Sequence, residues 1–131
     1  MASEGPLNPG TLANDASFGS VAWSTPSNAA SSNDSYAAAT LSASTSQYLK
    51  ATNFGFTLPA ATVDGILVEV ERKQTGAGIT DSRVRIVKGG TIGSTDKASG
   101  STWPASDAYA SYGGAADLWG ETWTSDDINA S

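Results

Sequence analysis

The sequence predicts an all-β protein: an antiparallel β-sandwich, jelly-roll-like, with a long aromatic-rich loop region. Three observations carry that expectation. Charged residues are sparse (15%), and 14 glycines among abundant Ser, Thr and Ala break the chain into short segments, a mixture that suits turns and strands. Where apolar residues recur, as in residues 64–74 (DGILVEVERKQ) and 81–89 (DSRVRIVKG), they do so with a period of two. No heptad, internal repeat or sustained helical period is present. A chain of 131 residues fits one domain, here an extended N-terminal arm over 1–10 followed by a single sandwich domain over 11–131.

The arm, MASEGPLNPG, carries Pro6 and Pro9 and reads as extended chain. Its Leu7, Asn8 and Pro9 are candidate docking residues, weighed against an ordinary frayed terminus. From Phe18 short strands follow. FGSVAWS places Val21 and Trp23 on one side, TPSNAASSNDS is a loop of turn-forming residues, and YAAATLS alternates weakly. In SQYLKATNFGFTLP, Leu49 and Ala51 share one parity while Phe54 and Phe56 share the other, so a β-bulge near Thr52-Asn53 is expected to keep all four inside. DGILVEVERKQ and DSRVRIVKG are expected to form a hairpin closed by TGAGIT, with Ile66, Val68 and Val70 inward. Its outer face would pair Glu69 and Glu71 with Arg83 and Arg85. After KGGTIGSTDKAS the pattern becomes irregular. A helical turn capped by Ser106 is expected at SDAYASY, a strand around Leu118-Trp119, and a last helical turn capped by Ser125 at SDDINAS.

Composition narrows the chemistry. The chain has no Cys and no His, so disulfides, thiolate metal sites and the commonest general base are excluded. A formal net charge of −6 without a basic stripe argues against nucleic acid. No apolar run approaches a membrane span, and the first residues lack the pattern of a secretory signal. The carboxylates Glu69 and Glu71 lie on one polar strand face and read as ion-pair partners rather than a glycosidase pair. Calcium is the one cofactor the residue types permit, through Asp34, Asp81, Asp96, Asp117, Asp126 and Asp127, but their spacing matches no calcium loop, so no cofactor is expected. Trp103, Tyr109, Tyr112 and Trp119 are candidates for a glycan-stacking or partner surface. The competing reading is that they fill the core of a domain poor in Leu, Ile and Phe. No catalytic constellation emerges, and the chain is expected not to be an enzyme.

Five phrases in fixed order, residues 8–42, YLKATNFGF, DGILVEVERK, VRIVKGG and DLWGETWTSDDINAS, resemble a small β-sandwich domain recurring in proteins of tailed bacteriophages and prophage regions. The resemblance covers nearly everything after the arm. It implies a non-enzymatic virion structural protein, most naturally a capsid decoration or cement protein assembled in the host bacterial cytoplasm. Its partners would be other virion proteins, a major capsid or tail protein, and further copies of itself in a homo-oligomer, with no nucleic acid and no membrane. The alternative is a carbohydrate- or host-surface-binding module of a tail fibre. In the family pattern two further strands follow the counterpart of DINAS. Their absence leaves three readings: an incomplete chain, a shorter variant, or a strand supplied by a neighbouring subunit.

Overall fold

The pattern of small and β-branched residues yields short strands, and the computed structural model describes residues 2–131. Met1, the first residue of the predicted arm, lies outside them. Regular structure is mostly strand. β1 (Thr11–Asp15), β2 (Tyr48–Thr52), β3 (Leu67–Arg72), β4 (Val87–Lys88), β5 (Thr91–Ile92) and β6 (Ala108–Gly113) are accompanied by a 3-10 turn at Pro26–Ala30 and a short helix, α1 (Ser125–Asn129). The strands pair antiparallel as β1-β2, β3-β6 and β4-β5, each a two-stranded sheet. The chain divides into two compact units, residues 1–58 with 129–131, and residues 59–128.

In the first unit, β1 and β2 run in register from Thr11 opposite Thr52 to Asp15 opposite Tyr48. The expected strand at Val21 to Trp23 is reduced to isolated bridges, Val21 to Ser46 and Ser24 to Ala38. Asn14 explains how the segment is held without a ladder. Its side-chain amide donates to the Trp23 carbonyl at 2.9 Å and accepts from the Trp23 N–H at 2.8 Å, so one side chain replaces a strand neighbour. Gly19 approaches so closely that a Cβ would lie 1.9 Å from the Ser46 carbonyl oxygen; only glycine fits there. The predicted bulge is instead a strand end. Asn53 turns left-handed (φ 61°), and its side chain donates to the Thr11 hydroxyl at 2.7 Å, a role for which Asn is suited because its short polar chain tolerates that region. Phe54 and Phe56 follow with ring centroids 6.1 Å apart.

In the second unit β3 pairs with β6, from Leu67 opposite Gly113 to Arg72 opposite Ala108. This corrects the expected hairpin of residues 64–74 with 81–89. Residues 87–92 form their own hairpin, closed by Gly89 and Gly90 at φ 55° and 80°, the two positive angles that a tight two-residue β-turn of the right twist requires. Arg85 therefore lies 3.7 Å from Asp96, not beside Glu69 or Glu71. SDAYASY is strand rather than helix, because Val68, Val70 and Arg72 supply partners for Tyr112, Ala110 and Ala108. The inward expectation for Val70 fails too: it is 40% exposed.

Two further corrections concern the last residues. Leu118-Trp119 is a turn, with Trp119 at φ 58°, fixed by a hydrogen bond from the Trp119 N–H to the Asp117 carboxylate at 2.8 Å. The cap of α1 is Thr124, not Ser125. The Asp127 N–H donates to the Thr124 hydroxyl at 3.2 Å while the Asp127 carboxylate accepts from the Thr124 N–H at 2.8 Å, a reciprocal capping arrangement with Asp at the third helical position. Among the described residues Tyr112, Trp119 and Ile128 are the buried large apolar side chains, and all three belong to the second unit.

Candidate functional site

The densest polar constellation gathers around Asp81. Arg72, at the end of β3, places Nη1 2.6 Å from Asp81 Oδ1, and Trp103 Nε1 donates to the same oxygen at 2.7 Å. Oδ2 accepts from the Tyr112 hydroxyl at 2.7 Å and from the Ser99 N–H at 3.0 Å. Arg72 Nη1 also donates to the Tyr112 oxygen at 2.5 Å, and its guanidinium sits 5.2 Å from the Trp103 ring centroid and 5.9 Å from that of Tyr112. The Arg72 and Asp81 side chains are 10% and 3% exposed.

Electrostatics follow from that packing. Burial opposes the Asp81 charge, but the hydrogen bonds from Tyr112, Ser99 and Trp103 together with the Arg72 cation outweigh it, so its carboxyl lies below the usual range. Burial and donation to the Asp81 carboxylate push the Tyr112 phenol up to about 12. Both carboxylate oxygens are saturated by protein donors. Chemically the cluster is a clamp tying β3 and β6 to residues 81, 99 and 103, with no lone pair left for a substrate.

A second constellation holds Trp119, which is 1% exposed. Its indole donates to the Ile66 carbonyl at 3.0 Å, Lys97 Nζ lies 5.2 Å from its ring, and Lys97 pairs with Asp117 at 2.5 Å. The structure thus brings Trp103 and Tyr112 together at Asp81, buries Trp119 elsewhere in the same unit, and leaves Tyr109 61% exposed on the opposite face of β6. The four aromatics do not share one stacking face. Of the docking candidates, Leu7 and Asn8 are exposed and Pro9 is half-buried; the arm is fastened where the Glu4 carboxylate accepts from the Thr57 N–H at 3.2 Å. Among the described residues no group of three or more acidic, His or Cys side chains is arranged to hold a metal ion, and no helix is long and apolar enough to cross a membrane.

Sequence reasoning missed Arg72 as the partner of Asp81. Its only local signal is an arginine ending an alternating strand where an inward position falls.

The outer face of β3-β6 is the remaining surface of note. Cross-strand neighbours share a face, so Leu67, Glu69 and Glu71 stand beside Gly113, Ser111 and Tyr109. Leu67 is 54% exposed.

No family model matches the chain, and neither does a curated protein or a solved structure.

Proposed function

We propose that this chain is a non-enzymatic assembly protein, a structural subunit of a bacteriophage virion serving as a capsid decoration or cement protein. The observation that carries the reading is burial. In residues 2–58 no side chain is fully buried: Phe18, Trp23, Tyr36, Tyr48, Phe54 and Phe56 each keep a minor part of their surface exposed. A unit of this size stabilises itself by removing apolar area from water at about 25 cal/mol per Å², and one that leaves all its aromatics partly wet would gain the rest from neighbours. Contacts between copies in a homo-oligomer would supply that cover, and would turn the two-stranded sheets into the layers of a sandwich.

Two other features support a structural role. The most elaborate polar cluster is internally saturated, and the resemblance of the sequence phrases points to phage particles. The partner would be a major capsid or tail protein, approached through Leu7, Asn8 and Pro9 of the arm. The test is reconstitution: purified chain is added to phage heads prepared without it, and occupancy is read by electron microscopy. Regular density over the head is the expected result, lost when residues 1–10 are deleted. Heads that stay bare with the intact chain would overturn the reading.

A further inference from the structure

The outer face of β3-β6 combines unpaired charge, exposed apolar side chains and unpaired backbone edges. The chain has 13 Asp and Glu against 7 Lys and Arg. Six cations are each bound to an aspartate: Lys50 to Asp15, Arg72 to Asp81, Lys73 to Asp107, Arg85 to Asp96, Lys88 to Asp127 and Lys97 to Asp117. The seventh, Arg83, is engaged as well. Glu69 and Glu71 have no cationic partner among the described residues. They project from alternate positions of one strand, roughly 7 Å apart, between Leu67 and Tyr109, which are 54% and 61% exposed. Among the described residues β3 has β6 on one side and no strand on the other, and no backbone–backbone hydrogen bond outside that ladder engages residues 67–72. The far edge of β3 therefore offers the N–H and C=O groups that an added strand takes up.

We infer that this edge and face receive an extended basic segment of another protein, added beside β3 with Lys or Arg at alternate positions opposite Glu69 and Glu71. The inference deepens the assembly role proposed above and rests on it. A second copy of this chain is the wrong occupant, because every Lys and Arg it carries is already engaged and its carboxylates would repel these. A basic strand satisfies both vacancies at once. Backbone pairing gives the attachment, while the period-two match of cation to carboxylate gives register and partner choice. Leu67 and Tyr109 supply apolar cover at either end.

The test uses three labelled ten-residue peptides with the full chain at low ionic strength, where such charges are least screened. The first alternates Lys and Val, the second replaces each Lys by Glu, and the third is the Lys peptide N-methylated at alternate amides to block strand pairing. Fluorescence anisotropy is expected to show binding of the Lys peptide alone. Glu69→Gln with Glu71→Gln, one at an exposed and one at a half-buried position, should weaken it about tenfold, as expected for two cross-strand charge pairs. Failure of the Lys peptide to bind, equal binding by the double variant, or indifference to N-methylation would each overturn the inference. So would sedimentation showing that wild-type chains associate through this face and that the double variant associates more tightly. Reconstitution onto heads separates the two readings. Heads decorated equally well by the double variant sink the basic-strand partner and leave the decoration role standing, whereas bare heads with the wild-type chain sink that role.

Discussion

Replacing Asp81 by Asn removes one charge and almost no volume, and the surrounding geometry makes it a demanding change. The two carboxylate oxygens accept four hydrogen bonds at 2.6 to 3.0 Å. An amide offers one acceptor and one donor, so either Arg72 and Trp103 or Tyr112 and Ser99 meet an N–H instead of a lone pair. Tyr112 can rotate its hydroxyl; the Ser99 N–H and the Trp103 indole cannot. Arg72, 10% exposed, is left without its counter-ion. Breaking a buried pair from one side costs about 3–5 kcal/mol, against a total stability of about 5–15 kcal/mol for a domain. For a chain of this length that corresponds to a Tm lowered by about 10 °C or more. Urea unfolding followed by tryptophan fluorescence, with thermal circular dichroism alongside, measures it. A loss below about 1 kcal/mol, the scale of an exposed ion pair, would refute the view of the cluster as a desolvated clamp. A cycle with Arg72→Met completes the test: once Asp81 is Asn, removing the orphaned guanidinium should cost little or recover stability.

Further predictions rest on other named contacts. Gly113→Ala places a Cβ 2.3 Å from the Ile66 carbonyl oxygen and 2.5 Å from the Trp119 indole nitrogen, at φ 76°, and should destabilise by more than the roughly 1–2 kcal/mol of a left-handed backbone alone, read as a lower Tm. The Asp15 carboxyl, held down to about 2 chiefly by the Ser17 hydroxyl and N–H and then by Lys50, should titrate by NMR well below the ordinary value of about 3.9; Ser17→Ala should move it upward. Because its folded value is depressed, its contribution to stability is present above about 3.9 and fades as pH falls towards 2. Tyr112 works in the opposite direction: its phenol is raised to about 12, so its stabilisation holds below the unfolded value of about 10 and is lost between there and 12. Alkaline unfolding of Tyr112→Phe should lack that component. Thr124→Ala removes the α1 cap and should cost about 1 kcal/mol in chemical denaturation.

The strand class was legible because alternation is a local property, and β2 and β3 lie where the apolar period of two places them. Partnership was not. Residues 64–74 and 81–89 are neighbours in sequence with matching alternation, yet β3 takes β6, some forty positions on, because the register that sets Val68 beside Tyr112 also carries Arg72 and Tyr112 to Asp81. In SDAYASY the two tyrosines, three apart, imitate helical spacing, whereas in β6 they point to opposite faces, one buried and one 61% exposed. β1 escaped notice because TLAND has a single large apolar residue and becomes a strand through its pairing with β2. The Gly89-Gly90 turn has a dipeptide signal, but the expected hairpin of 64–74 with 81–89 passes over it and places the turn at TGAGIT. The Asp81 clamp was not legible: it joins residues 9, 22 and 31 positions apart, and nothing short-range marks such a meeting.

The partly exposed aromatics of residues 2–58 also bear on how long a free chain would last under the proposed assembly role. Side chains that keep part of their surface wet hold a segment less firmly than fully buried ones, so in a free chain the amides of residues 2–58 should exchange with solvent before those next to Tyr112 and Trp119, which are 6% and 1% exposed. Assembly would raise the opening cost by mass action. Under the proposed assembly role an unassembled copy would be the short-lived form and an assembled one the durable form, so turnover alone would trim an excess of subunits down to the number of sites open to them.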